Sequence, residues 1–106
     1  MRFSLSVDFR PDLVISSDVI EHVPDPDLPL GYIRDLAPRF VVLSTPDRSL
    51  LRRGMHNGPP SNAADIREWS MPELRGYVSE YFQVVDHFIS NASQCTQCIV
   101  LVPKRP

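Results

Sequence analysis

The order and period of the apolar residues predict an α/β fold in which parallel central strands are followed by a carboxyl-terminal antiparallel hairpin. Two short apolar runs, Asp12-Leu13-Val14-Ile15-Ser16 and Phe40-Val41-Val42-Leu43-Ser44, suit strands covered on both faces. A segment of helical period lies between them, which is the βαβ alternation of a parallel sheet with a right-handed crossover. Two later strand patterns, 82–89 and 98–102, are separated by too few residues for a crossover and must pair antiparallel.

Each element has a local reason. Phe3, Leu5, Val7 and Phe9 alternate with Ser4, Ser6 and Asp8, the period of a half-buried strand expected at a sheet edge. The run at 12–16 is the expected central strand. Asp18 to Val23 reads as one helical turn, which Pro24-Asp25-Pro26-Asp27 interrupts because proline has no amide donor. A helix over 27–36 follows, with Pro29 in its first turn and Leu30, Ile33 and Leu36 at helical spacing, weakened by Gly31. From Thr45 to about Arg67 there is no clear period, and Pro46, Gly54, Gly58, Pro59 and Pro60 break the stretch, so a long loop is expected. Ser70-Met71-Pro72-Glu73 has capping-box spacing, and Leu74, Tyr77, Val78 and Tyr81 predict a helix over 71–81 that packs these side chains on the core.

Composition narrows the function classes. The 106 residues are 42% hydrophobic and 23% charged, as expected of one small soluble domain with one core. Eleven basic against thirteen acidic side chains give a net charge of -2, so charge implies no nucleic-acid partner. No apolar run approaches the roughly 20 residues of a membrane span and no signal pattern opens the chain, which predicts no membrane partner and a cytoplasmic location. In a reducing compartment Cys95 and Cys98 stay thiols. As a C-x-x-C on a strand, with no second cysteine pair, they would point to opposite faces and make a poor zinc or redox site.

Three motifs carry a resemblance. Residues 12–26, Asp-Leu-Val-Ile-Ser-Ser-Asp-Val-Ile-Glu-His-Val-Pro-Asp-Pro, resemble the fourth strand of class I S-adenosylmethionine-dependent methyltransferases and the turn after it. Val42-Leu43-Ser44-Thr45-Pro46-Asp47-Arg48 resembles the fifth strand and its exit, and Arg67-Glu68-Trp69-Ser70 with Glu73-Leu74 resembles the approach to the next helix. The likeness covers roughly residues 10–103 and implies a partial Rossmann-like methyltransferase sheet, in a single truncated domain whose 45–67 loop lies on the substrate side. It further implies S-adenosylmethionine as cofactor, a small-molecule or other methyl acceptor, and oxygen as the atom methylated. One departure is large. The family holds its cofactor by a Gly-rich loop at a helix start and an acidic residue after the second strand, whereas the four glycines here are Gly31, Gly54, Gly58 and Gly76. Both missing elements would precede residue 1. A second reading is therefore a noncatalytic half-domain that acts as an interaction module, its sheet edge covered by a second copy in a homodimer or by a missing amino-terminal segment.

The resemblance places the methionine part of the cofactor against Ser16, Ser17 and Asp18, although Asp18 with Glu21 also fits a simple capping box. Asp18, Glu21 and His22, spaced i, i+3, i+4, would share one face of a helical turn and converge at the carboxyl edge of the sheet. They are similar to the Glu-x-x-Glu-His that binds metal in small-RNA 2′-O-methyltransferases and ubiquinone-pathway O-methyltransferases, with Asp65 near the position of a fourth ligand, so magnesium is a possible second cofactor. His22 alone is a candidate general base. Thr45, Arg67, Glu68 and Trp69 are candidates for the substrate wall, against the plainer reading of Trp69 as core. His56 is expected to be solvated and His87 partly buried and structural.

Overall fold

The computed structural model describes residues 10–52 and 67–104. The alternating segment Phe3–Phe9, His56 and Asp65 lie outside the described residues. Strands β1 (Leu13–Ser17), β2 (Phe40–Pro46), β3 (Phe82–Asn91) and β4 (Thr96–Pro103) form one sheet in the order β1-β2-β4-β3. β1 and β2 are parallel, in register Leu13 with Phe40 through Ser17 with Ser44. β4 is antiparallel to both β2 and β3, which makes it the lone reversed strand among the four. The short hairpin is as expected, with β3 two residues longer and β4 beginning two residues earlier than the period alone predicts.

Helix α1 (Asp27–Leu36) makes the crossover, and Ala37, with φ 51, closes it by donating its N–H to Arg34. Helix α3 (Met71–Val78) starts on the predicted capping box: Ser70 accepts from the Glu73 N–H, and the Glu73 carboxylate accepts from the Ser70 N–H at 2.8 Å. That amide, with Arg48 nearby, holds the Glu73 carboxyl below the usual range. The helix ends at Val78 rather than 81, where Ser79 closes it with N–H bonds to Arg75 and Tyr77. Tyr81 nonetheless reaches back. Its hydroxyl and that of Tyr77 each donate to Asp27 Oδ1 at 2.5 Å, joining the start of α1 to α3. These bonds lower the Asp27 carboxyl and help push the Tyr81 hydroxyl up to about 12.

The core lies on one face of the sheet. Ile20, Leu30, Ile33, Val41, Leu43, Leu74, Val78, Phe82, Ile99 and Leu101 are buried there together with Trp69. Pleat alternation sends Val41 and Leu43 to this side and Phe40 and Val42 to the other.

Three expectations are corrected. The segment at 12–16 is not central: β1 is an edge strand of the described sheet, with Leu13 51% and Ile15 67% exposed. An unbroken apolar run reports suitability for two covered faces, but the covering elements must be present, and among the described residues none lies beyond β1. The stretch from Thr45 is not irregular at its start either. Thr45 and Pro46 still belong to β2, and Arg48–Arg52 form a short helix, α2, capped by Asp47 Oδ2 accepting the Leu50 N–H at 3.0 Å. Cys95 is not on a strand but in the hairpin turn, with φ 55, while Cys98 is buried in β4; both are free thiols.

Candidate functional site

The parallel strands β1 and β2 end side by side at Ser17 and Pro46, and the candidate residues gather beyond those ends. In an open α/β sheet this carboxyl edge is where ligands bind. The Ser44 hydroxyl donates to Ser17 Oγ at 3.1 Å, and the Asp18 N–H donates to the Ser44 carbonyl at 3.0 Å. Asp18 itself takes a left-handed conformation with φ 54, which bends the chain sharply out of the strand. Aspartate tolerates that region better than most residues, and such outliers concentrate at functional sites.

The bend decides the next residues. The single 3-10 turn Ile20–His22 begins after Val19, and no side chain caps it. The capping box expected from Asp18 and Glu21 is therefore absent, because an N-cap needs extended backbone and Asp18 is left-handed. Glu21 turns into the protein, 1% exposed, where Thr45 Oγ1 donates to its Oε1 at 3.0 Å. His22 stays at the surface, with 43% of its side chain exposed and Nε2 3.8 Å from Glu21 Oε2. Among the described residues no three His, Cys, Asp or Glu side chains form a group that could hold a metal ion.

Burial pushes the Glu21 carboxyl above its ordinary value of 4.5, against the opposing pull of the Thr45 hydrogen bond and of His22. A raised folded-state value means that the stability Glu21 contributes is complete below the unfolded value and is lost as the pH rises through the folded one. The Glu21→Gln variant keeps the acceptor for Thr45 without the charge. It is expected to gain stability relative to the wild type as the pH rises above the ordinary carboxylate value of 4.5, in urea unfolding; a relative loss over that rise would show that Glu21 is stabilised as the anion.

The returning chain closes the site from the other side. The Arg67 N–H donates to the Glu21 carbonyl at 3.3 Å, and Trp69 forms an isolated parallel bridge with Asp47. Trp69 is 6% exposed and stacks on Tyr77, with ring centroids 6.0 Å apart, so it belongs to the core as the plainer reading had it. The Arg67 guanidinium lies 5.9 Å from the Trp69 ring centre. Thr45 and Glu68 are buried as well, which leaves Arg67 as the exposed member of the four substrate-wall candidates.

Two residues at this edge were not site candidates. Gln97, fully buried, accepts or shares a hydrogen bond with His87 Nε2 at 2.7 Å and donates from Nε2 to the carbonyls of Trp69 and Pro46 at 2.9 and 3.4 Å. It ties together the two points at which the chain leaves and rejoins the sheet, and it gives His87 the structural role expected of it. Its signal in the sequence is a lone amide inside the apolar run 98–102 and its flank. Asp47 is 3% exposed, and its Oδ1 has no hydrogen-bond partner among the described residues.

No family model and no curated protein matches the chain. Solved structures do. Magnesium protoporphyrin IX methyltransferase from Synechocystis PCC 6803, solved with bound SAH, superposes with a TM-score of 0.64 at 16% identity over 93% of this chain and 48% of its own. PH0226 from Pyrococcus horikoshii OT3 gives 0.66 at 16% identity over 95% and 56%, and the small RNA methyltransferase HEN1 gives 0.62 at 16% over 90% and 14%. The chain thus has a class I methyltransferase-like, Rossmann-like fold, and it spans about half or less of each of these structures. Among the described residues no helix is long and apolar enough to cross a membrane.

Proposed function

We propose that this chain is the carboxyl-terminal half of an S-adenosylmethionine-dependent methyltransferase domain. The observation that carries the reading is the sheet order β1-β2-β4-β3 with a single reversed strand, together with the left-handed turn at Asp18 directly after Ser16 and Ser17, the last residues of β1. When bound, the cofactor supplies an electrophilic methyl group. The Ser16 and Ser17 hydroxyls and the Asp18 carboxylate would hold its polar end, and the partly exposed His22 would take the acceptor's proton as the S–CH3 bond breaks, leaving a thioether, and the O–CH3 bond forms. Of the four wall candidates Arg67 is the exposed one, and a small-molecule acceptor would rest against it. Holding the two reactants in line accounts for most of the rate enhancement in such a transfer. No step runs through magnesium, because Glu21 is committed to Thr45 and, among the described residues, no three His, Cys, Asp or Glu side chains gather to hold an ion.

The cofactor contacts supplied by this chain are only part of a site. Calorimetric titration of the 106 residues with S-adenosylmethionine is expected to show weak binding or none. Joined to a segment bearing a Gly-rich loop, the chain should bind it in the micromolar range, about 8 kcal/mol. Tight binding by the chain alone would show that the turn suffices or that two copies rebuild the pocket, and failure of the joined form would sink the proposal.

A second reading has its own support in the open edge of β1. With Leu13 and Ile15 exposed, and no strand beyond β1 among the described residues, the half-domain is suited to pair with another strand without catalysis.

A further inference from the structure

The opposite end of the sheet carries a second candidate site, independent of the methyltransferase reading. A concavity of about 500 Å³ is lined by Arg75, Ser79, Phe82, Gln83, Val84 and Lys104. Phe82 opens β3 and pairs with Pro103 at the end of β4, so this hollow lies away from the carboxyl edge where Ser17 and Pro46 end. Its volume falls within the range of small-ligand pockets.

Its charge is one-sided. No carboxylate lines it, and among the described residues neither Arg75 nor Lys104 enters an ion pair. In a chain with 13 acidic against 11 basic side chains, two cations sharing one hollow without an acidic neighbour on its wall are a local reversal of the overall balance. The floor is apolar, with Phe82 1% exposed and Val84 half-buried. Gln83 adds amide donors that no described residue uses, while the Ser79 hydroxyl is committed to the Arg75 carbonyl at 2.6 Å.

We propose that this hollow binds a small anion of the phosphate class, its charge met by Arg75 and Lys104 and its remaining oxygens by the Gln83 amide. A guanidinium matches two oxygens of such an anion at once, and an ammonium supplies the second charge. A monocarboxylate would leave one cation unanswered.

The probe is pyrophosphate, added to the full chain in a phosphate-free buffer at constant ionic strength and followed by amide chemical shifts. Saturable shifts are expected at Arg75, Ser79, Gln83, Val84 and Lys104, and binding should weaken about tenfold or more in the Arg75→Gln/Lys104→Gln variant. Both side chains are exposed, so the variant retains the fold, and Lys104→Gln alone should weaken binding by a smaller factor. Non-saturating shifts, shifts reproduced by sodium chloride alone, or unchanged affinity in the double variant would overturn the proposal. So would a short oligodeoxynucleotide that saturates these amides where pyrophosphate does not, since that outcome assigns the surface to nucleic acid.

Discussion

Truncation of Leu43 to alanine is expected to lower the unfolding free energy by about 3–5 kcal/mol, the cost of a lost transfer term plus an unfilled cavity. Leu43 is fully buried in β2, with Ser16 beside it on β1 and Ile99 beside it on β4, so the space it leaves is walled by two neighbouring strands that cannot close in. For a chain of 106 residues the total stability is on the order of 5–15 kcal/mol. With a urea slope of about 1–3 kcal/mol per molar, the midpoint should fall by more than about 1 M. Leu13, on the neighbouring strand but 51% exposed, is the control: Leu13→Ala should cost less than about 1 kcal/mol. Equal losses at the two positions would mean that the exposed side of β1 is covered in solution.

The helices were readable because each carries its own signals. Leu30 and Ile33 at helical spacing place α1 at 27–36, and Ser70 with Glu73 starts α3 where the capping box puts it. The hairpin followed from chain length alone, since four residues between Asn91 and Thr96 leave no room for a crossover. The position of β1 in the sheet was not readable. Leu13, Val14 and Ile15 state how a strand is suited to be covered, and nothing in them states which element covers it. Spacing also misled at Asp18, where the sequence Asp-x-x-Glu is compatible with a cap only if the first residue is extended; φ 54 removes that condition and sends Glu21 inward to Thr45 instead. Asp47 was missed because a helix of five residues is too short to show a period, although an aspartate before Arg48-Ser49-Leu50 is an ordinary cap signal.

The largest functional effect is expected at the open edge, from Ile15→Pro. The Phe40 N–H donates to the Asp12 carbonyl and the Asp18 N–H to the Ser44 carbonyl, so the even-numbered residues of this stretch face β2. By the alternation of a parallel ladder, the N–H and C=O groups of Leu13, Ile15 and Ser17 face outward. Proline at 15 therefore removes no bond that β1 makes to β2, and the preceding Val14 is already in the extended conformation that proline requires. Stability of the isolated chain should change by no more than about 1 kcal/mol. A strand added to this edge, in contrast, would lose a ladder donor and meet the pyrrolidine ring. Wild-type chain in sedimentation velocity is expected to self-associate with rising concentration through this edge, and Ile15→Pro to sediment as the monomer at every concentration. In the form joined to a Gly-rich-loop segment, the same substitution should abolish S-adenosylmethionine binding, because in the proposed function the added segment would pair with β1. Self-association that persists in Ile15→Pro would place the contact on the exposed face of the sheet, at Phe40 or Phe88, rather than on its edge. A strictly monomeric wild type whose joined form binds cofactor regardless of the proline would remove β1 from any role in completing the domain.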